Sequence, residues 1–181
     1  MKFSPTPLKG SYIIEPERIR DDRGWFARTY CANEFSQIGH VDEWLQMNHS
    51  YTAKKGTIRG MHYQLQPYRE IKLVRCIRGK IFDVIVDIRE NSPTFLKWFG
   101  AELSDESMHM LYIPEGFAHG FQTLSDDCEL VYLHSEFYQA GYEGGLLYSD
   151  KLLDIQWPTD VTVISDRDAN HPALTENFKG L

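Results

Sequence analysis

The chain has 181 residues and a formal net charge of −7; 42% of it is hydrophobic, with ten Phe, ten Tyr and four Trp. That content excludes a disordered chain and suits one domain spanning residues 1–181 with a substantial core. No run of Lys or Arg marks a nucleic-acid face, and no apolar stretch approaches the roughly 20 residues of a membrane span.

Cys31, Cys76 and Cys128 are odd in number and form no CxxC pair, which argues against a disulfide framework or a zinc knuckle. The opening MKFSPTPLKGSYIIEPERIR lacks the apolar core of a signal peptide, so the expected location is the cytoplasm.

Helical periodicity is weak, and its best stretch runs from Ala32 to Gln37. TIRGMHYQ, from Thr57 to Gln64, reads as a strand carrying Arg59 and His62 three residues apart. Lys72 to Ile88 reads as two strands around Gly79, which predicts a β-hairpin. In its second run Phe82, Val84, Val86 and Ile88 share one face, while Asp83, Ile85 and Asp87 share the other. Further strands are expected over Lys97 to Leu103, His109 to Ile113, Gly120 to Leu124 and Cys128 to His134, with Leu152-Leu153 as a turn of helix. Many short strands at close spacing predict an all-β sandwich or barrel.

Four polar positions stand out. His62 has Gln64 as its alternate neighbour, so the tight His-x-His arrangement of a strand-borne metal site is missing, and no metal is expected. Lys72 opens a strand, where a lysine is either an edge gatekeeper or the partner of an anion. Tyr132 shares a face with Leu130 and His134, and a buried tyrosine is ordinarily a packing residue. Asp168, in ISDRDANHP, suits a turn or cap. Taken singly, each has an ordinary structural reading.

Together the motifs resemble one family, the dTDP-4-dehydrorhamnose 3,5-epimerases, a branch of the cupin superfamily. The likeness runs from about Asp22 to Pro172. It rests on DDRGWF at Asp21, QMNHS at Gln46, IRGMHYQ at Ile58, KLVRCIRGKIFDVIVDIRENSPTF at Lys72, IPEGFAHGF at Ile113, LVYLHSEFY at Leu130 and IQWP at Ile155. The resemblance implies a cupin-type jelly roll and a homodimer whose N-terminal strands pack on the partner. It also implies a dTDP-sugar substrate and a reaction without metal or cofactor.

The resemblance also assigns roles. His62 matches the proton-abstracting histidine, Asp168 its carboxylate partner, Lys72 the lysine of the KLVR motif and Tyr132 the acid. Arg23, Gln46, Asn48, Arg59, His119, Glu143 and Arg167 match nucleotide-sugar-binding positions, and Tyr138 matches the aromatic that stacks on thymine. Three departures stand against this pattern: Arg28 replaces a ligand-contacting glutamate, Leu133 replaces a lysine, and Arg167 replaces a lysine. Two other readings remain open: an epimerase that inverts one centre of a related sugar, and a cupin that binds a sugar nucleotide without catalysis.

Overall fold

The computed structural model describes residues 1–181. Two antiparallel sheets face each other. The first has the order β1-β2-β10-β7-β12-β5, built from Lys2–Pro5, Tyr12–Glu15, Met110–Ile113, Lys72–Arg78, Cys128–His134 and Gln46–Thr52 respectively. The second has the order β13-β6-β11-β8-β9, built from Glu143–Gly145, Ile58–Gln64, Phe117–Thr123, Lys80–Asp87 and Trp98–Ser104. β3 (Arg18–Asp21) and β4 (Gly24–Ala27) form a hairpin that joins neither sheet. This is the expected cupin-type jelly roll.

Strand alternation explains three cores. Val74, Cys76 and Leu130 of the first sheet meet Ile81, Ile85, Leu103, Phe117 and Phe121 of the second in the lumen. Val84, Val86 and Ala118 point outward from the second sheet and are covered by Leu146, Leu153 and Ile155 of the C-terminal segment. Ile14, Leu73 and Met110 point outward from the first sheet and pack on Phe35 of α1 (Ala32–Phe35). Each Val, Leu, Ile, Phe or Met side chain among these contributes about 1.5–3 kcal/mol by leaving water. Both faces of β7 and β8 are therefore buried, which is why their runs read as nearly continuous apolar sequence.

The Gly79 hairpin is not formed. Gly79 makes a tight turn at φ 78°, but β7 and β8 lie in different sheets. β7 pairs with β10 and β12, whereas β8 pairs with β9 and β11. A turn glycine between two apolar runs looks the same whether the chain folds back or crosses between layers. Smaller shifts also occur: β11 starts at Phe117 rather than Gly120, and Leu152-Leu153 lies in a turn in which the Asp154 amide donates to the Asp150 carbonyl at 2.9 Å.

Candidate active site

The lumen opens into a cleft. One cavity of about 590 Å³ is lined by Asn48, Ser50, Arg59, His62, Lys72, His119, Tyr132, Arg167 and Asp168, among others. A neighbouring one of about 450 Å³ adds Gln46, Glu70, Tyr138 and Glu143, and shares His62, Lys72 and Arg167.

A β-bulge builds its floor. Arg59 pairs with Phe121 and His62 with His119, so β6 spends one more residue than β11 over this span. Plain alternation would send Arg59 and His62 to opposite faces. The bulge, at Gly60 with φ 124°, brings both into the cavity. Gly60 and Gly120 pass so closely that a side chain on either would strike the other strand.

His62 is the residue most strongly held for chemistry. Its Nε2 lies 2.7 Å from Oδ1 of Asp168, and the Gly60 amide donates to Oδ2 at 3.1 Å. A carboxylate accepts, so Nε2 carries the hydrogen and Nδ1 holds the free lone pair. Burial lowers the imidazole pKa, and the Asp168 hydrogen bond and charge only partly oppose it. Burial pushes the Asp168 carboxyl up, but hydrogen bonds from His62 and Gly60 outweigh it and hold it below the usual range. Asp168 sits in α2 (Asp166–Ala169), where its own amide donates to the Ser165 cap at 3.1 Å. Asp168 lies in a short helical turn beside its cap, but the residue is 4% exposed and its carboxylate faces inward.

Lys72 is no edge gatekeeper. β7 is an inner strand, and the Lys72 Nζ lies 3.0 Å from Oε1 of Glu70, whose side chain is 9% exposed. Tyr132 stands on the sheet opposite His62, and its hydroxyl lies 2.9 Å from Ser50 Oγ. Burial raises the phenol pKa far above its ordinary value, so it is protonated at neutral pH.

The binding residues divide. Arg59 donates from Nε to Thr52 Oγ1 at 3.0 Å, and His119 lies 2.7 Å from Asp83 in the core. Gln46 accepts from the Tyr138 amide at 3.1 Å, and the Tyr138 hydroxyl bonds Glu143. Arg167 reaches Glu143 at 3.5 Å.

Arg23 and Arg28 are not brought to this cleft. Arg23 is paired with Asp21 on the detached β3–β4 hairpin, and Arg28 with Glu34 at 3.1 Å. Neither lines the cleft of its own chain.

Four residues escaped sequence reasoning. Alternation marks Asp83 only as part of a half-polar face, and no sequence spacing connects Glu70 or His134 to Lys72. His171 lies 3.9 Å from Asp168 Oδ1. His62, Asp168 and His171 offer three ligand atoms within 4.8 Å of one another, a grouping that strand alternation could not reveal. The hydrogen bond between His62 and Asp168 occupies two of those atoms.

Fold and cleft together define the class: a cupin-type jelly-roll epimerase. The model of the dTDP-4-dehydrorhamnose 3,5-epimerase family matches residues 5–176, and the chain belongs to that family. It is 47% identical to a dTDP-4-dehydrorhamnose 3,5-epimerase of Shigella flexneri over 94% of each chain. It also superposes on the Bacillus anthracis enzyme of that name, solved with TDP and PPi bound, with TM-score 0.92 and 40% identity over 96% of this chain and 99% of that one. An epimerase of Legionella pneumophila, solved in complex with dTDP-4-keto-L-rhamnose, gives TM-score 0.90 and 37% identity over 95% and 92%.

Proposed function

We propose that this chain converts dTDP-4-dehydro-6-deoxy-D-glucose to dTDP-4-dehydro-L-rhamnose by inverting C3 and C5. The observation that carries the reading is the His62–Asp168 pair facing the same cavity as Lys72 and Tyr132. The C4 ketone acidifies the hydrogens on both neighbouring carbons. Neutral His62 removes one through Nδ1, while Asp168 steadies the imidazolium that forms. Lys72 meets the charge that develops on the C4 oxygen, commonly the largest contribution in such reactions. Tyr132 returns a proton from the other side of the ring. The base belongs to one sheet and the acid to the other, which suits inversion.

Arg59 and Arg167 are suited to the diphosphate, since guanidinium grips phosphate through paired donors. Tyr138, 57% exposed at the cleft mouth, is suited to stack on the thymine ring, with Gln46, Asn48, His119 and Glu143 around the nucleotide-sugar.

Homodimerisation completes the proposal. Ile19 and Phe26 of the detached hairpin are each 66% exposed, an apolar surface that a second copy would cover. Such packing would carry Arg23 and Arg28 toward the partner's cleft. Sedimentation of a chain with Ile19→Asp and Phe26→Asp tests it: a monomer is expected, and an unchanged dimer contradicts the hairpin's part.

The reaction is tested by incubating enzyme and the 4-keto sugar nucleotide in D₂O. Deuterium at both C3 and C5 is expected. Deuterium at one carbon makes the chain a single-centre epimerase, and none at either makes it a binding protein.

A further inference from the structure

Lys72 is held by a hydrogen-bond chain that begins at the nucleotide end of the cleft. Gln46 Nε2 donates to Asn48 Oδ1 at 3.3 Å. The Asn48 amide nitrogen lies 3.3 Å from His134 Nε2, and His134 Nδ1 lies 2.6 Å from Glu70 Oε2. Glu70 Oε1 then takes the Lys72 ammonium at 3.0 Å.

The direction of every link is fixed by chemistry. The Asn48 amide nitrogen can only donate, so His134 Nε2 must accept. The Glu70 carboxylate can only accept, so His134 Nδ1 must donate. His134 is therefore the Nδ1–H tautomer. The Lys72 end of the chain is enclosed, with the side chains of Glu70, His134 and Lys72 9%, 10% and 11% exposed, whereas the Gln46–Asn48 bond lies at the surface. Charge-assisted bonds in such surroundings are short, strong and geometrically exacting.

Burial pushes the Glu70 carboxyl up, but the His134 hydrogen bond and the Lys72 charge outweigh it and hold it below the usual range. His134 also stacks on the acid's ring, with the Tyr132 centroid 6.3 Å away at 28°.

We infer that Glu70, oriented by His134, is the positioning residue of Lys72: it holds the ammonium in place to meet the C4 oxygen. This inference rests on the epimerase reading. A long lysine side chain has many rotamers, and a fixed carboxylate removes most of that freedom before substrate arrives. Glu70 and His134 spend their polar atoms on Lys72 and Asn48, so their loss is expected to fall on turnover more than on binding.

The test uses the full chain and deuterium wash-in from D₂O into the 4-keto sugar nucleotide, with dTDP binding measured by calorimetry. Glu70→Gln is expected to lower kcat about 10- to 100-fold, the size of a lost charge-assisted hydrogen bond, and to leave KM and the dTDP Kd nearly unchanged. Glu70→Asp should recover part of that loss. His134→Asn should lower kcat less, again without weakening dTDP binding. If Glu70→Gln does not fold, His134→Asn decides by the same split between kcat and KM. Wild-type exchange with unimpaired kcat in these variants, or a loss confined to KM, overturns this inference alone. A wild type that exchanges nothing overturns the epimerase reading and this inference together.

Discussion

Nε2 of His62 stands 2.7 Å from Oδ1 of Asp168, although 106 residues separate them in the chain. One lies on an inner-facing strand and the other on a four-residue helix of the C-terminal segment. The segment that seals the outer core thus also delivers the carboxylate to the base.

If Asp168 fixes the His62 tautomer, an amide in its place is damaging. Asp168→Asn can leave Nε2 as the free nitrogen and Nδ1 protonated, which turns the base away from its task. The expected loss in kcat is about 10²–10⁴-fold, with dTDP affinity retained, as measured by steady-state kinetics and calorimetry.

The acid limb of the pH profile follows from His62. Burial lowers its pKa, so the neutral base persists below about pH 6.5 and the limb of kcat/KM lies on the acid side of that value. Asp168 works against the lowering, so Asp168→Asn should move the residual activity's limb further toward acid. Stability follows the same sign. His40, His62 and His171 all have lowered values, so at these three side chains the unfolded chain binds more protons than the folded one just below pH 6.5. Their contribution to stability is full above that pH and declines as the pH falls through the window. The His62 side chain is 38% exposed, so solvent screens part of its share. Urea titrations at a series of pH values read the decline.

Tyr132→Phe removes the hydroxyl and keeps the ring's packing against the lumen core. Abstraction by His62 does not need that hydroxyl, but delivery to the opposite face does. Epimerised product should form about 10²–10⁴-fold more slowly. Exchange of the abstracted hydrogen with solvent should fall much less. Equal loss of both would contradict the division of labour between base and acid.

Gly120→Ala tests the bulge. Its Cβ would meet Met61 Sδ at 2.7 Å and the Arg59 carbonyl at 2.8 Å, and a backbone carbonyl cannot swing aside. The strands must separate between His62 and His119. Destabilisation of about 1–3 kcal/mol by urea unfolding is expected, accompanied by lost activity.

Much of the fold could be read from the residues. Cys128 to His134 and the alternation within Phe82 to Ile88 match the structure. The pairing of β7 with β8 could not be read, since Gly79 carries no signal of which layer the next strand joins. Arg59 and His62 share a cavity only because Gly60 adds a residue, a shift that simple alternation misses. Asp83 and Glu70 looked like ordinary strand and loop acids because their partners, His119 and His134, come from distant strands. The family likeness, rather than periodicity, linked Asp168 to His62. It also nominated Arg23 and Arg28, which this chain's own cleft does not receive.

The most direct test replaces the imidazole. Wild type and His62→Ala are compared in D₂O with the 4-keto sugar nucleotide, after both are shown to bind dTDP alike. The account predicts deuterium at C3 and C5 with the wild type and essentially none with His62→Ala. Exchange by His62→Ala at the wild-type rate would contradict it.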